Sequence, residues 1–123
     1  ACFNAALRDY ARIGLMMLRG GKLGQERVVS SAWVHASTTP DAAYLKPNPG
    51  GPEGGFGYAY QWWIPPGNEG VFEAQGIYGQ CIYVNPVRHV VIVQTSAWPE
   101  PVALAEAEEQ GFVLDRIAAT FAP

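Results

Sequence analysis

The sequence predicts an α+β fold: a small antiparallel sheet of about three strands, with N-terminal and C-terminal helices packed on it. Three observations lead there. Apolar residues recur at three- and four-residue spacing near the start and again over residues 102–122, the periodicity of amphipathic helices. Between these stretches lie β-favouring runs joined by short turns, and short connections make strands antiparallel neighbours. A length of 123 residues suits one domain with a core of its own, so residues 1–123 are read as a single domain.

The first helix is carried by Phe3, Leu7, Tyr10, Ala11, Gly14, Leu15 and Leu18. Asn4 is the candidate cap, and Gly20-Gly21 can end the helix in a left-handed conformation. A polar connection turns at Gly24. Ser30 or Ser31 then caps a shorter helix through Trp33, Val34 and Ala36, which Pro40 ends. Residues 40–57 are dense in proline and glycine and read as a long loop.

Three strands are expected next: Tyr58 to Ile64, Val71 to Asn85 interrupted at Gly76 and Gly79, and His89 to Thr95. In a continuous strand Tyr58, Tyr60 and Trp62 share one face and Trp63 takes the other. The last helix has the stripe Leu104, Leu114, Ile117, Ala118 and Phe121.

Composition narrows the partners. The chain is 49% hydrophobic and 15% charged, with a net charge of −3. That balance is globular and carries no basic patch for nucleic acid or anionic lipid. No stretch nears the roughly 20 apolar residues of a membrane helix. No signal-peptide pattern is visible, and the sequence does not begin with Met. The expectation is a soluble chain, cytoplasmic or periplasmic, with a processed or cut start. Cys2 and Cys81 could pair, but nothing in their spacing demands it; Cys81, in an alternating apolar run, reads as a small core residue.

His35 and His89 have no partner at metal-ligand spacing, so no metal site is expected. Gly20-Gly21-Lys22 follows a helix, and Gly54 to Gly57 precedes a strand. Neither is a phosphate cradle, which needs a helix N-terminus after its glycines. Mid-strand glycines mark a bulge or the close approach of a ligand or another backbone. That makes Ala74-Gln75-Gly76-Ile77-Tyr78-Gly79-Gln80 the most informative segment.

The runs Phe56 to Trp63, Glu73 to Pro86 and His89 to Ser96, preceded by Arg8 to Gly21, resemble the closing segment of β-lactamase-related serine hydrolases. Among these the chain is most similar to six-aminohexanoate-oligomer hydrolases and related esterases. The resemblance implies part of a β-lactamase/transpeptidase-like, penicillin-binding-protein-like fold. In that family a Ser-x-x-Lys box holds the nucleophile, a Tyr box the base, and a third box borders the cleft. Only the third has a counterpart, Ala74-Gln75-Gly76. The resemblance implies that the Ile77 N–H is an oxyanion donor, that Trp63 lines the acyl pocket, and that Gln75, Gly76 and Tyr78 border the substrate. Ala74 stands where a cation binds the carboxylate of penicillin-like substrates, which favours other esters or amides.

No serine has a lysine three residues on, and Tyr83-Val84-Asn85 matches the Tyr box only formally, at the wrong place in the chain order. The expectation is a C-terminal hydrolase fragment, inactive alone, with no cofactor. The alternative is a stand-alone hydrolase-derived domain that binds a ligand or forms an oligomer. The uncharged run after His89 reads as a strand edge open to another copy, so a homo-oligomer is expected.

Overall fold

The computed structural model describes residues 4–51 and 55–123. Helix α1, Leu7–Leu18, starts after Ala6, which makes no side-chain cap; Asn4 is too far upstream to serve as expected. Phe3 lies outside the described residues. The C-terminus follows the reading. The Gly20 N–H donates to the Met17 carbonyl at 3.0 Å and the Gly21 N–H to that of Met16 at 2.8 Å. With Gly20 at φ +61°, these crossed bonds form a Schellman motif that satisfies the last carbonyls.

The turn at Gly24 is a small hairpin, β1 (Lys22–Leu23) against β2 (Glu26–Arg27). Helix α2, Ser31–Thr38, is capped by Ser30, whose hydroxyl accepts from the Trp33 N–H at 3.0 Å. Among its described residues the proline-rich loop includes a 3₁₀ turn, Ala43–Leu45.

Among the described residues the main sheet has five antiparallel strands rather than three, in the order β3-β4-β5-β6-β7. Two expected strands are each folded into a hairpin. Tyr58 to Ile64 breaks at Tyr60 and Gln61, both with positive φ (42° and 75°), giving β3 (Gly57–Ala59) and β4 (Trp62–Ile64). Two successive left-handed residues make the tight turn whose twist matches a hairpin. The expected shared face of Tyr58, Tyr60 and Trp62 is therefore lost: Tyr58 instead pairs across with Trp63. Val71 to Asn85 likewise divides into β5 (Phe72–Gln75) and β6 (Cys81–Asn85). The last strand, β7, is Val90–Gln94; His89 does not open it but sits in the preceding turn at φ 54°.

Helices cover both sheet faces. Ile82 and Val84 of β6 point to α1 and α2, in a core with Met17, Val34, Trp62, Ile64 and Phe72. Cys81 and Tyr83 point the other way, to Leu114 and Ala118 of helix α3, Leu104–Ala118. Only those two residues of the expected α3 stripe are buried; Leu104, Ile117 and Phe121 are exposed. Cys81 is a buried free thiol, and burial raises its pKa. Cys2 lies outside the described residues.

Helix α1 meets the sheet at Gly14. A Cβ there would lie 2.5 Å from Val91 Cγ1 and 3.0 Å from Ile82 Cγ2. Both obstacles are stiff β-branched side chains. Gly14→Val is expected to destabilise the chain by about 2–3 kcal/mol through overpacking, read from the urea midpoint.

Candidate active site

The glycine-bearing segment is a β-turn at the end of β5. The Gly79 N–H donates to the Gly76 carbonyl at 3.1 Å, and the Gly76 N–H donates to the Gln80 carbonyl at 2.7 Å. Gly79 takes φ +83°, a left-handed conformation that suits glycine. Ile77 is exposed at the second turn position, and its N–H has no acceptor among the described residues. Tyr78 donates its N–H to Gln80 Oε1 at 3.2 Å.

Gln75, Gly76, Ile77 and Tyr78 thus form one continuous rim. Trp63 lies one strand away, directly opposite Glu73 and on the sheet face that Gln75 shares. Its ring meets Tyr58 at 4.9 Å and Phe56 at 6.4 Å, both edge-on. The adjacent Trp62 points to the opposite face, buried and T-shaped against Phe72 at 5.1 Å. The two tryptophans serve different environments: one core, one half-exposed aromatic cluster.

The α3 side of the sheet holds a polar network unforeseen from the sequence. The Tyr83 hydroxyl donates to Asp115 Oδ1 at 2.9 Å. Asn85 Nδ2 donates to Glu69 Oε2 at 2.6 Å. Arg88 closes the chain with Nε and Nη2 on the Glu69 carboxylate at 2.8–3.0 Å. Arg88 and Asn85 together hold the Glu69 pKa below the usual carboxylate value. Tyr83 is 1% exposed, and burial raises its pKa. It is held under α3 by Asp115. A groove of about 340 Å³ opens above this network, with Pro47, Ile64 and Val71 among its apolar walls.

Ser37, Ser96 and His35 make local contacts. Ser37 Oγ donates to the Val34 carbonyl at 3.0 Å, and Ser96 Oγ accepts from Gln94 Nε2 at 2.7 Å. His35 Nδ1 lies 3.3 Å from Thr39 Oγ1. Among the described residues no group of three or more His, Cys, Asp or Glu side chains is placed to hold a metal ion.

The family described as Beta-lactamase matches residues 3–114, nearly the whole chain. This chain belongs to that family. It is 38% identical over 102 residues to the 6-aminohexanoate-dimer hydrolase of Paenarthrobacter ureafaciens, a match covering 80% of this chain and 26% of that protein. It is also similar to a solved Bacillus anthracis structure that is described, provisionally, as a 6-aminohexanoate-dimer hydrolase. That match has a TM-score of 0.74 and 30% identity, over 94% of this chain and 29% of that one. The chain therefore spans between a quarter and a third of the length of each relative.

One buried group in this family member stands out. Glu73 is 6% exposed, faces Tyr83 across the ladder, and accepts from Gln75 Nε2 at 2.7 Å. Burial, against the opposing Gln75 bond and helped by the charge of Asp115, pushes its pKa from 4.5 up to about 7. A lone carboxylate in the apolar run Val71-Phe72-Glu73-Ala74 was the sequence signal for it. Below the lower value both native and unfolded chains hold this proton; between the two only the native chain does. Stability therefore falls as pH rises through that window, by roughly 3 kcal/mol in total, and then levels. Glu73→Gln keeps an acceptor for Gln75 and removes the charge. Urea unfolding should find it more stable than the parent at about pH 8 and nearly equal at about pH 4.

Proposed function

We propose that this chain is the C-terminal part of a serine hydrolase acting on esters or amides. In this reading it contributes one oxyanion donor, the Ile77 N–H. Trp63 forms a wall of the acyl pocket, and Gln75, Gly76 and Tyr78 border the substrate. The observation that carries the reading is the turn itself. It leaves the Ile77 N–H without an internal acceptor, at the end of the strand that holds the counterpart of the family's third box.

The chemistry follows from charge. Attack on an acyl carbon places negative charge on the former carbonyl oxygen, and a preorganised N–H aimed at that position stabilises it. A second donor would come from the backbone of the nucleophile, which no serine here can supply: none has a lysine three residues on. Ala74 offers no cation to a substrate carboxylate, so the reading favours esters and amides without a penicillin-like carboxylate. The amide for which the Paenarthrobacter relative is named, the 6-aminohexanoate dimer, is the first substrate to test.

The purified chain alone is expected to show no p-nitrophenyl ester turnover above buffer; turnover abolished by one serine substitution would overturn the fragment reading. Joined to the Paenarthrobacter relative in place of its matching segment, it should restore hydrolysis. In that chimera Ile77→Pro tests the donor. Proline suits the second position of a β-turn and lacks the N–H, so kcat should fall by about 10²–10³-fold in a folded protein.

A stand-alone, non-catalytic domain is the second reading, favoured by one feature. Among the described residues β7 is an edge of the sheet, bears no charged side chain, and pairs only with β6. Such an edge is a template for another strand. This reading expects a two-fold homodimer joined through β7 or through the aromatic face around Trp63. Light scattering on the chain at micromolar concentration checks it, and a clean monomer overturns it.

A further inference from the structure

We infer that Trp98 and Gln110 are positioning residues that clamp the Gly76–Gly79 turn and so set the direction of the Ile77 N–H. The inference rests on the reading of Ile77 as an oxyanion donor.

A trans peptide is planar, so its N–H points opposite to its C=O. The Ile77 N–H shares its plane with the Gly76 carbonyl, and that carbonyl is tied to the Gly79 N–H at 3.1 Å. The position of Gly79 therefore dictates where the Ile77 N–H points: outward, away from the turn. Two glycines make this turn pliable, because glycine loses the most backbone freedom on being fixed. Something outside the hairpin has to hold Gly79.

Trp98, in the connection between β7 and α3, and Gln110, within α3, do so. The indole lies where a Cβ of Gly79 would be: an added Cβ would collide with Cε2 and sit 2.5 Å from Nε1. The Trp98 N–H also donates to the Tyr78 carbonyl at 3.3 Å. Gln110 Nε2, from α3, donates to the Gly79 carbonyl at 2.7 Å. Thus the peptide planes on both sides of Gly79 are bonded by residues outside the turn. Gln80 adds a weaker tether, its Nε2 reaching the Ser96 carbonyl at 3.4 Å. Neither Trp98 nor Gln110 needs to touch substrate. Each acts through Gly79, and misplacing a donor by about 1 Å can cost about 10²-fold in rate.

The test has two readouts. In the ¹⁵N-labelled chain, Trp98→Ala and Gln110→Met should lower the Ile77 amide order parameter from about 0.85 to below about 0.6, with β6 amides unchanged. Trp98→Phe, which keeps a ring over Gly79, should restore it. In the chimera described above, the same two variants should lower kcat by about 10- to 100-fold with little change in KM, and Trp98→Phe should recover most of it. An Ile77 amide as rigid in both variants as in the parent overturns the clamp, whatever the chimera does. Unchanged kcat in both variants, where Ile77→Pro abolishes it, overturns it as well. If Ile77→Pro leaves kcat intact, the oxyanion reading is what fails, and the amide data still decide the clamp.

Discussion

Every residue of β6, from Cys81 to Asn85, is buried, and the rest of the chain is arranged around that strand. It pairs with β5 on one side and β7 on the other, and each of its faces meets a different helix layer. Ile82 and Val84 serve α1; Cys81 and Tyr83 serve α3. A slip of one residue would exchange these sets and place Tyr83 and Asn85 against the apolar layer of Met17 and Phe72. The register is therefore specified from both sides. Gly14 lets α1 approach close enough to use it.

The two faces differ in chemistry. The α1 face packs Met17, Val34, Trp62, Ile64 and Phe72 around Ile82 and Val84. The α3 face mixes Leu114 and Ala118 with the bonds that run from Asp115 through Tyr83 and Asn85 to Glu69 and Arg88. A buried polar chain is tolerated when its members are satisfied, and here no buried side-chain nitrogen or oxygen among the described residues lacks a partner. Glu73 is the costly member, because a single Gln75 bond does not offset the desolvation of a carboxylate. Burial raises its pKa to about 7, and it sits two residues before Gln75 on the strand that ends at the candidate rim.

That rim is tied to the fold through α3. The helix docks on β6 by Leu114 and Ala118, and one turn earlier Gln110 reaches the Gly79 carbonyl. The same docking that completes the core thus holds the turn bearing Ile77. A rigid support under a donor is what electrostatic preorganisation requires, since a mobile N–H must be ordered again at each turnover.

The sequence alone determined the α+β class, the helix-ending glycines Gly20 and Gly21, a serine cap at 30 or 31 that the structure gives to Ser30, and the family, because these rest on local patterns: periodicity, left-handed glycine, and a motif order kept over nearly the whole chain. It marked Gly76 and Gly79 as exceptional for a strand, but read the interruption within one strand. The hairpin at Tyr60-Gln61 was hidden because neither residue favours positive φ, and only pairing of Tyr58 with Trp63 and burial of Trp62 compensate for it. The exposure of Leu104, Ile117 and Phe121 was equally invisible, since periodicity marks an apolar stripe without saying which part meets a neighbour. Glu73 beside Tyr83, Asp115 on the same phenol, and Trp98 against Gly79 are contacts between residues distant in sequence. They follow from strand register and helix docking, so only the tertiary structure could decide them.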